Sequence, residues 1–271
     1  MAATIDNEEL DPAESEVKRK SVAIPEIGLK HYDIIEKLGS GGYAEVYKVR
    51  HRSTGALMAM KLLAVEHKKG SEVAERELWN IYKIQRHPSI VPWYDMQLTA
   101  DKRHQVVIME LCDMDLTDFM TSHKNRDWSM CVDISKQIAA GVLFLHMRDP
   151  QIIHRDIKPQ NILIKRCPVS DRILAKLSDF GISNLVERGL ILDNATTEEL
   201  EQAFRHMKTT VGGRGTKPFM APEFFARRSG HAKGKFRVDA SVDIFALGLT
   251  FNFVFCYTTS DYGSLSYVFW R

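Results

Sequence analysis

The chain has 271 residues, 44% of them hydrophobic, enough to bury a large core in one big domain or two coupled lobes. A formal net charge of only +2 argues against a strong global field toward nucleic acid or membrane, and Lys18-Arg19-Lys20 reads as a solvated patch. Four scattered cysteines, Cys112, Cys131, Cys167 and Cys256, show no metal-ligand spacing and favour reduced thiols, hence a cytoplasmic or nuclear protein.

Residues 1–30 are rich in charge and poor in aromatics, so a disordered tail is expected there, with no basic or apolar run resembling a signal peptide. Tyr32–Leu38 and Glu45–Arg50 read as strands around a glycine turn. Leu57–Leu63 is a third strand, entered by a Thr54-Gly55 turn, and a helix is expected from about Glu72 to Gln85. Val106–Glu110 is a strongly apolar strand, after which the pattern turns helical, notably over Ser129–His146. Ile244–Tyr257 is the most apolar segment, yet it is too short, and too polar at Thr250 and Asn252, to span a bilayer. It reads as a buried helix. The expected fold is α+β: a small β-rich lobe over 31–111 and a mainly helical lobe over 112–271, joined near Glu110 to Asp115.

Three short motifs follow in order: Ile153-His154-Arg155-Asp156-Ile157-Lys158-Pro159-Gln160-Asn161, then Asp179-Phe180-Gly181, then Ala221-Pro222-Glu223. Upstream stand Gly39-Ser40-Gly41-Gly42-Tyr43-Ala44-Glu45-Val46 and the strand lysine Lys61. Together these resemble the eukaryotic protein kinases, over roughly Tyr32 to Tyr257. The resemblance implies a bilobal fold, ATP and Mg²⁺ as nucleotide and metal, and a protein substrate. The small net charge adds the expectation of no nucleic-acid or membrane partner.

Glycines let backbone N–H groups approach phosphates, so Gly39, Gly41, Gly42, Tyr43 and Ala44 are expected to cover the nucleotide; Ala44 replaces the family's third glycine. Lys61 would pair the α- and β-phosphates and a helix carboxylate. Val73, Glu77, Ile81 and Ile84 share one helix stripe, which makes Glu77 an acid on an apolar face in need of a partner. Glu75 is the alternative. By resemblance Met109 is the gatekeeper, the backbone of Glu110 and Cys112 bonds the base, Asp115 reaches the ribose, and Val46, Ala59 and Leu163 sandwich the adenine. Asp156 is expected to act as catalytic base, Lys158 to contact the γ-phosphate, and Asn161 and Asp179 to ligate Mg²⁺.

Lys158 two residues after Asp156 resembles the Ser/Thr class, as does Gly215-Thr216 ahead of Ala221, with Thr216 expected near Asp156. Gln160 stands where many relatives carry a glutamate that grips basic substrates, and Ile182 hints at threonine over serine as acceptor. Arg155 marks a kinase whose activation segment is organised by phosphate, with Thr209 and Thr210 as the expected sites for an upstream kinase. Thr196 and Glu199 have capping-box spacing, which predicts an extra helix across 196–207.

Asp243 resembles the aspartate that braces the catalytic-loop backbone from the central helix of the large lobe. The chain ends at Arg271, where relatives continue with further helices, so the large lobe is expected to be incomplete. The competing expectation is therefore a weakly active fragment that binds nucleotide and acts as a scaffold or dominant-negative form. The run Glu110–Leu116 with Ile152-Ile153-His154 is similar to the kinase module of the unfolded-protein sensor with endoribonuclease activity, a likeness that the Gly-rich loop and N-terminal tail do not share.

Overall fold

The computed structural model describes residues 31–40, 44–64, 87–99, 104–123, 127–149, 151–170, 172–179, 219, 221–222 and 239–256. The helices expected at Glu72–Gln85 and across 196–207 lie outside them.

Five strands form an antiparallel sheet in the order β1-β2-β3-β5-β4: β1 (Tyr32–Ser40), β2 (Ala44–His51), β3 (Leu57–Ala64), β4 (Trp93–Leu98) and β5 (His104–Glu110). Gly55 lets the β2–β3 turn close, because its φ of +70° suits a residue without Cβ. β1 is an edge strand whose charged residues face solvent, and Lys48–Glu36 and Arg52–Asp33 are exposed ion pairs of small worth. β5 is buried on both faces, which is why it reads as an unbroken apolar run.

Register decides what each face carries. Val46 pairs with Lys61 and Lys61 with Val107; Lys48 pairs with Ala59 and Ala59 with Met109. Because side chains alternate along a strand, Val46, Ala59, Lys61 and Met109 project from one face. Tyr47, Met60 and Ile108 project from the other, where Tyr32, Val49, Leu62 and Val106 complete a second apolar cluster.

A second sheet has the order β6-β7-β8: β6 (Met114–Asp115), β7 (Ile162–Arg166) and β8 (Ile173–Leu177). Three helices are described: α1 (Leu116–Ser122), α2 (Trp128–His146) and α3 (Ser241–Cys256). Asp115 caps α1 by accepting from the Asp118 N–H at 2.9 Å, and Asp127 caps α2 through the Met130 N–H at 2.7 Å. α2 is long and apolar enough to cross a bilayer by length and composition, but its Ile134, Ile138, Val142 and Leu145 are buried in the core. α2 packs against β8 and α3.

The two lobes share a core that runs from Ala59 and Met109 through Phe119 and Ile138 to Phe253. Backbone bonds stitch them as well, since Val91 N–H reaches the Leu177 oxygen and Leu177 N–H the Ser89 oxygen, both at 2.9 Å. Gly141 permits this close approach: a Cβ there would stand 2.9 Å from both the Ser89 oxygen and Leu177 Cδ1. The architecture matches the expected α+β bilobal fold. Four strands went unforeseen, among them the two-residue β6. β4 carries a register shift between Trp93 and Asp95 that breaks its alternation, and β7 and β8 are short strands that gain their order from each other.

Candidate active site

The catalytic-loop motif lies between α2 and β7, ending in a single 3₁₀ turn at Pro159–Asn161. Lys158 Nζ donates to both carboxylate oxygens of Asp156, at 2.8 and 2.6 Å. Asn161 Nδ2 donates to the Asp156 backbone oxygen at 2.7 Å and to its Oδ2 at 2.8 Å. The Asp156 carboxylate is thus held by two side chains from its own loop, while remaining 22% exposed. Lys158 is 1% exposed, and Asp156 is the partner that makes its burial tolerable.

Asp179 lies two residues past the end of β8. Its Oδ1 lies 2.5 Å from Lys61 Nζ, so the lysine on β3 and the aspartate after β8 meet across the two sheets. Burial pushes the Asp179 carboxyl upward, but the charge and hydrogen bond of Lys61 outweigh it and hold the group below the ordinary carboxylate value, ionised at neutral pH.

Backbone strain sits at two motif residues. Arg155 has φ +65° and Asp179 φ +58°, the left-handed region that non-glycine residues rarely adopt, at about 1–3 kcal/mol each. Buried polar contacts over-determine these conformations. Asp243 on α3, fully buried, accepts the His154 N–H through Oδ2 and the Arg155 N–H through Oδ1, both at 2.7 Å. His146 Nε2 on α2 is 2.8 Å from the same Oδ2. The His154 ring, also fully buried, lies with Nε2 2.9 Å from the Ser178 oxygen and accepts the Asp156 N–H at Nδ1, 3.3 Å away. Those partners assign the proton to Nε2. Ser178 N–H reaches the Asn161 oxygen at 2.8 Å, so the residue before Asp179 is bonded to both ends of the catalytic loop.

Of the other residues singled out in the sequence, Val46, Ala59, Lys61 and Met109 share the face described above. Gly39, next to last in β1, pairs with Val46, and Ala44 opens β2. Leu163 pairs with Asp115 in the small sheet and packs, with Cys112, against the common core. Asp115 serves as the cap of α1, a structural use that its sequence position did not disclose. Burial raises its carboxyl above the usual value. Glu75, Glu77, Gly41, Gly42, Tyr43, Thr209, Thr210 and Thr216 lie outside the described residues. Sequence reasoning missed His146, Ser178, Lys165 and Lys176, whose partners are distant in the chain and leave no local pattern.

A family model described as the protein kinase domain matches residues 32–261, well over half of the chain. The chain belongs to the protein kinase family. A kinase domain transfers a phosphoryl group, takes ATP as donor and acts on protein, and the bilobal arrangement seen here is that of the family.

Proposed function

We propose that this kinase is a Ser/Thr-directed enzyme that uses Mg²⁺ and moves the γ-phosphate of ATP to a protein hydroxyl. The observation that carries this reading is the convergence of Asp156, Lys158 and Asn161 in one hydrogen-bonded cluster, with the Lys61–Asp179 pair across the lobes.

Asp156 has the exposure to receive the acceptor hydroxyl and orient it for attack, and Lys158 and Asn161 keep its carboxylate in one rotamer. Lys61 would hold the nonreacting phosphates, with Glu77 as its further partner. Gly39, Gly41, Gly42, Tyr43 and Ala44 would cover them. Val46, Ala59, Met109 and Leu163 would enclose the base, with the Glu110 and Cys112 backbone along its edge and Asp115 near the ribose.

The donor set fits a magnesium ion. Asn161 spends its NH₂ on Asp156, which leaves its carbonyl oxygen as the acceptor, and Asp179 is kept ionised. Magnesium takes one or two protein oxygens and completes its shell on phosphate and water, a demand these two side chains meet. When bound, the ion supplies charge neutralisation at the phosphoryl group being moved.

Ser/Thr preference is supported by Lys158, which occupies the position two after Asp156 and bonds it directly. Arg155, with Thr209 and Thr210 as phosphorylation sites for an upstream kinase, supports control through the activation segment. Unpaired thiols at Cys112, Cys131, Cys167 and Cys256 support a reducing compartment, cytoplasm or nucleus.

The test is phosphoamino-acid analysis of a peptide library incubated with the full chain, ATP and Mg²⁺, with Asp156→Asn as control. Phosphoserine and phosphothreonine above the control are expected. Phosphotyrosine as the product would overturn the Ser/Thr assignment, and no transfer above the control would favour the scaffold reading.

A further inference from the structure

Two lysines outside every motif hold the segment that joins the lobes. In the small sheet Leu163 pairs with Lys176 and Lys165 with Leu174, so Leu163, Lys165 and Lys176 project from the same face. Their ammonium groups reach two consecutive residues, the last of β5 and the first beyond it. Lys165 Nζ donates to the Leu111 carbonyl oxygen at 2.6 Å. Lys176 Nζ lies 2.6 Å from Glu110 Oε2, with side chains 10% and 20% exposed. That oxygen has no aligned hydrogen-bond donor, so the contact is an ion pair rather than a directed bond.

These contacts constrain the backbone. In a trans peptide the carbonyl and the next residue's N–H lie in one plane and point in opposite directions. With the Leu111 oxygen drawn to Lys165, the Cys112 N–H is turned to the side away from that lysine. Two residues earlier, the Glu110 N–H is taken by the Pro92 oxygen at 3.0 Å, and one later the Asp113 N–H is taken by the Ile164 oxygen at 2.9 Å. The Cys112 N–H lies between two such fixed points. The Glu110 carboxylate is close enough that its charge, after burial, helps push the Cys112 thiol up to about 12. Unpaired, that buried charge would drive the segment to rearrange toward water.

We propose that Lys165 and Lys176 are positioning residues for adenine, presenting the Cys112 N–H to the base from the opposite side of the connecting segment. The proposal rests on the nucleotide reading above but not on phosphoryl transfer. Binding and catalysis therefore separate in the test.

Adenosine and magnesium tripolyphosphate are titrated calorimetrically into the full chain and into Lys165→Met, Lys165→Arg, Lys176→Met and Lys176→Arg. KM for ATP and kcat are measured alongside. Each Met variant is expected to weaken adenosine about tenfold and leave tripolyphosphate unchanged, with KM for ATP rising far more than kcat falls. The Arg variants should recover most of the loss. If Lys176→Met does not fold, Glu110→Gln/Lys176→Met removes both charges, and it should fold while keeping the adenosine defect. Unaltered adenosine binding in the Met variants, or equal losses for adenosine and tripolyphosphate, would overturn the proposal. So would a wild-type chain that binds no adenosine. A wild-type chain that binds adenosine but transfers no phosphate defeats the kinase reading alone.

Discussion

The β-sheet of the small lobe and the catalytic loop of the large one are built on different principles. In the sheet, Val46, Ala59, Lys61 and Met109 reach one face through strand alternation and register, with relaxed backbone and apolar neighbours. In the loop, Asp156 is placed by a strained neighbour, Arg155, and by the buried carboxylate of Asp243, which holds the N–H groups of His154 and Arg155 from 89 and 88 residues away. The sheet side therefore absorbs local change in small increments, since one altered side chain leaves the register intact. The loop side is all-or-none, because removing one acceptor strands several donors in a dry interior.

The largest expected effect is on chemistry. Asp156→Asn should lower kcat at least about a hundredfold in a phosphate-transfer assay, and it should lower the melting temperature too, because the loop keeps its Asp243 brace but buried Lys158 loses its charged partner. Next comes the brace. Asp243→Ala leaves the His154 and Arg155 N–H groups without their acceptor, and should cost about 2–5 kcal/mol by denaturant titration and abolish transfer. An Asp243→Ala protein as stable and active as wild type would dissolve the contrast between the regions.

Gly141→Ala tests where the lobes are pressed together. With its Cβ 2.9 Å from a backbone oxygen, about 1–3 kcal/mol of stability should be lost. Acid pH sharpens the comparison at Lys61–Asp179. The Asp179 carboxyl is held below its ordinary value of 3.8, so the pair stabilises the fold above that pH and the contribution fades as pH falls through the lower folded value. The stability difference between wild type and Asp179→Asn, followed by denaturant titration, should thus be constant near neutrality and shrink below about pH 4. The smallest effect is expected at the sheet edge. Glu36→Gln removes the exposed bond to Lys48 and should change stability by less than about 0.5 kcal/mol.

Strands β1, β2, β3 and β5 were legible because their apolar alternation or continuity survives in the linear text, and α2 because its apolar positions recur at helical spacing. β4 was not, since its register shift interrupts the alternation. Motif spacing located Asp156, Lys158, Asn161 and Asp179, and the structure gathers Asp156, Lys158 and Asn161 into one cluster. Asp243 was legible as a brace, but its contact with His146 was not, because nothing local to either residue records the other.

Taken alone, the amino-acid order determined the family, the lobes and the positions of the motifs, because turns, alternation and short motifs are properties of neighbours in the chain. Only tertiary structure decided the left-handed backbone at Arg155 and Asp179, the capping use of Asp115, and the lysines behind Glu110 and Leu111. Each of these depends on partners brought together by burial, where an unmet charge or N–H is costly enough to dictate geometry.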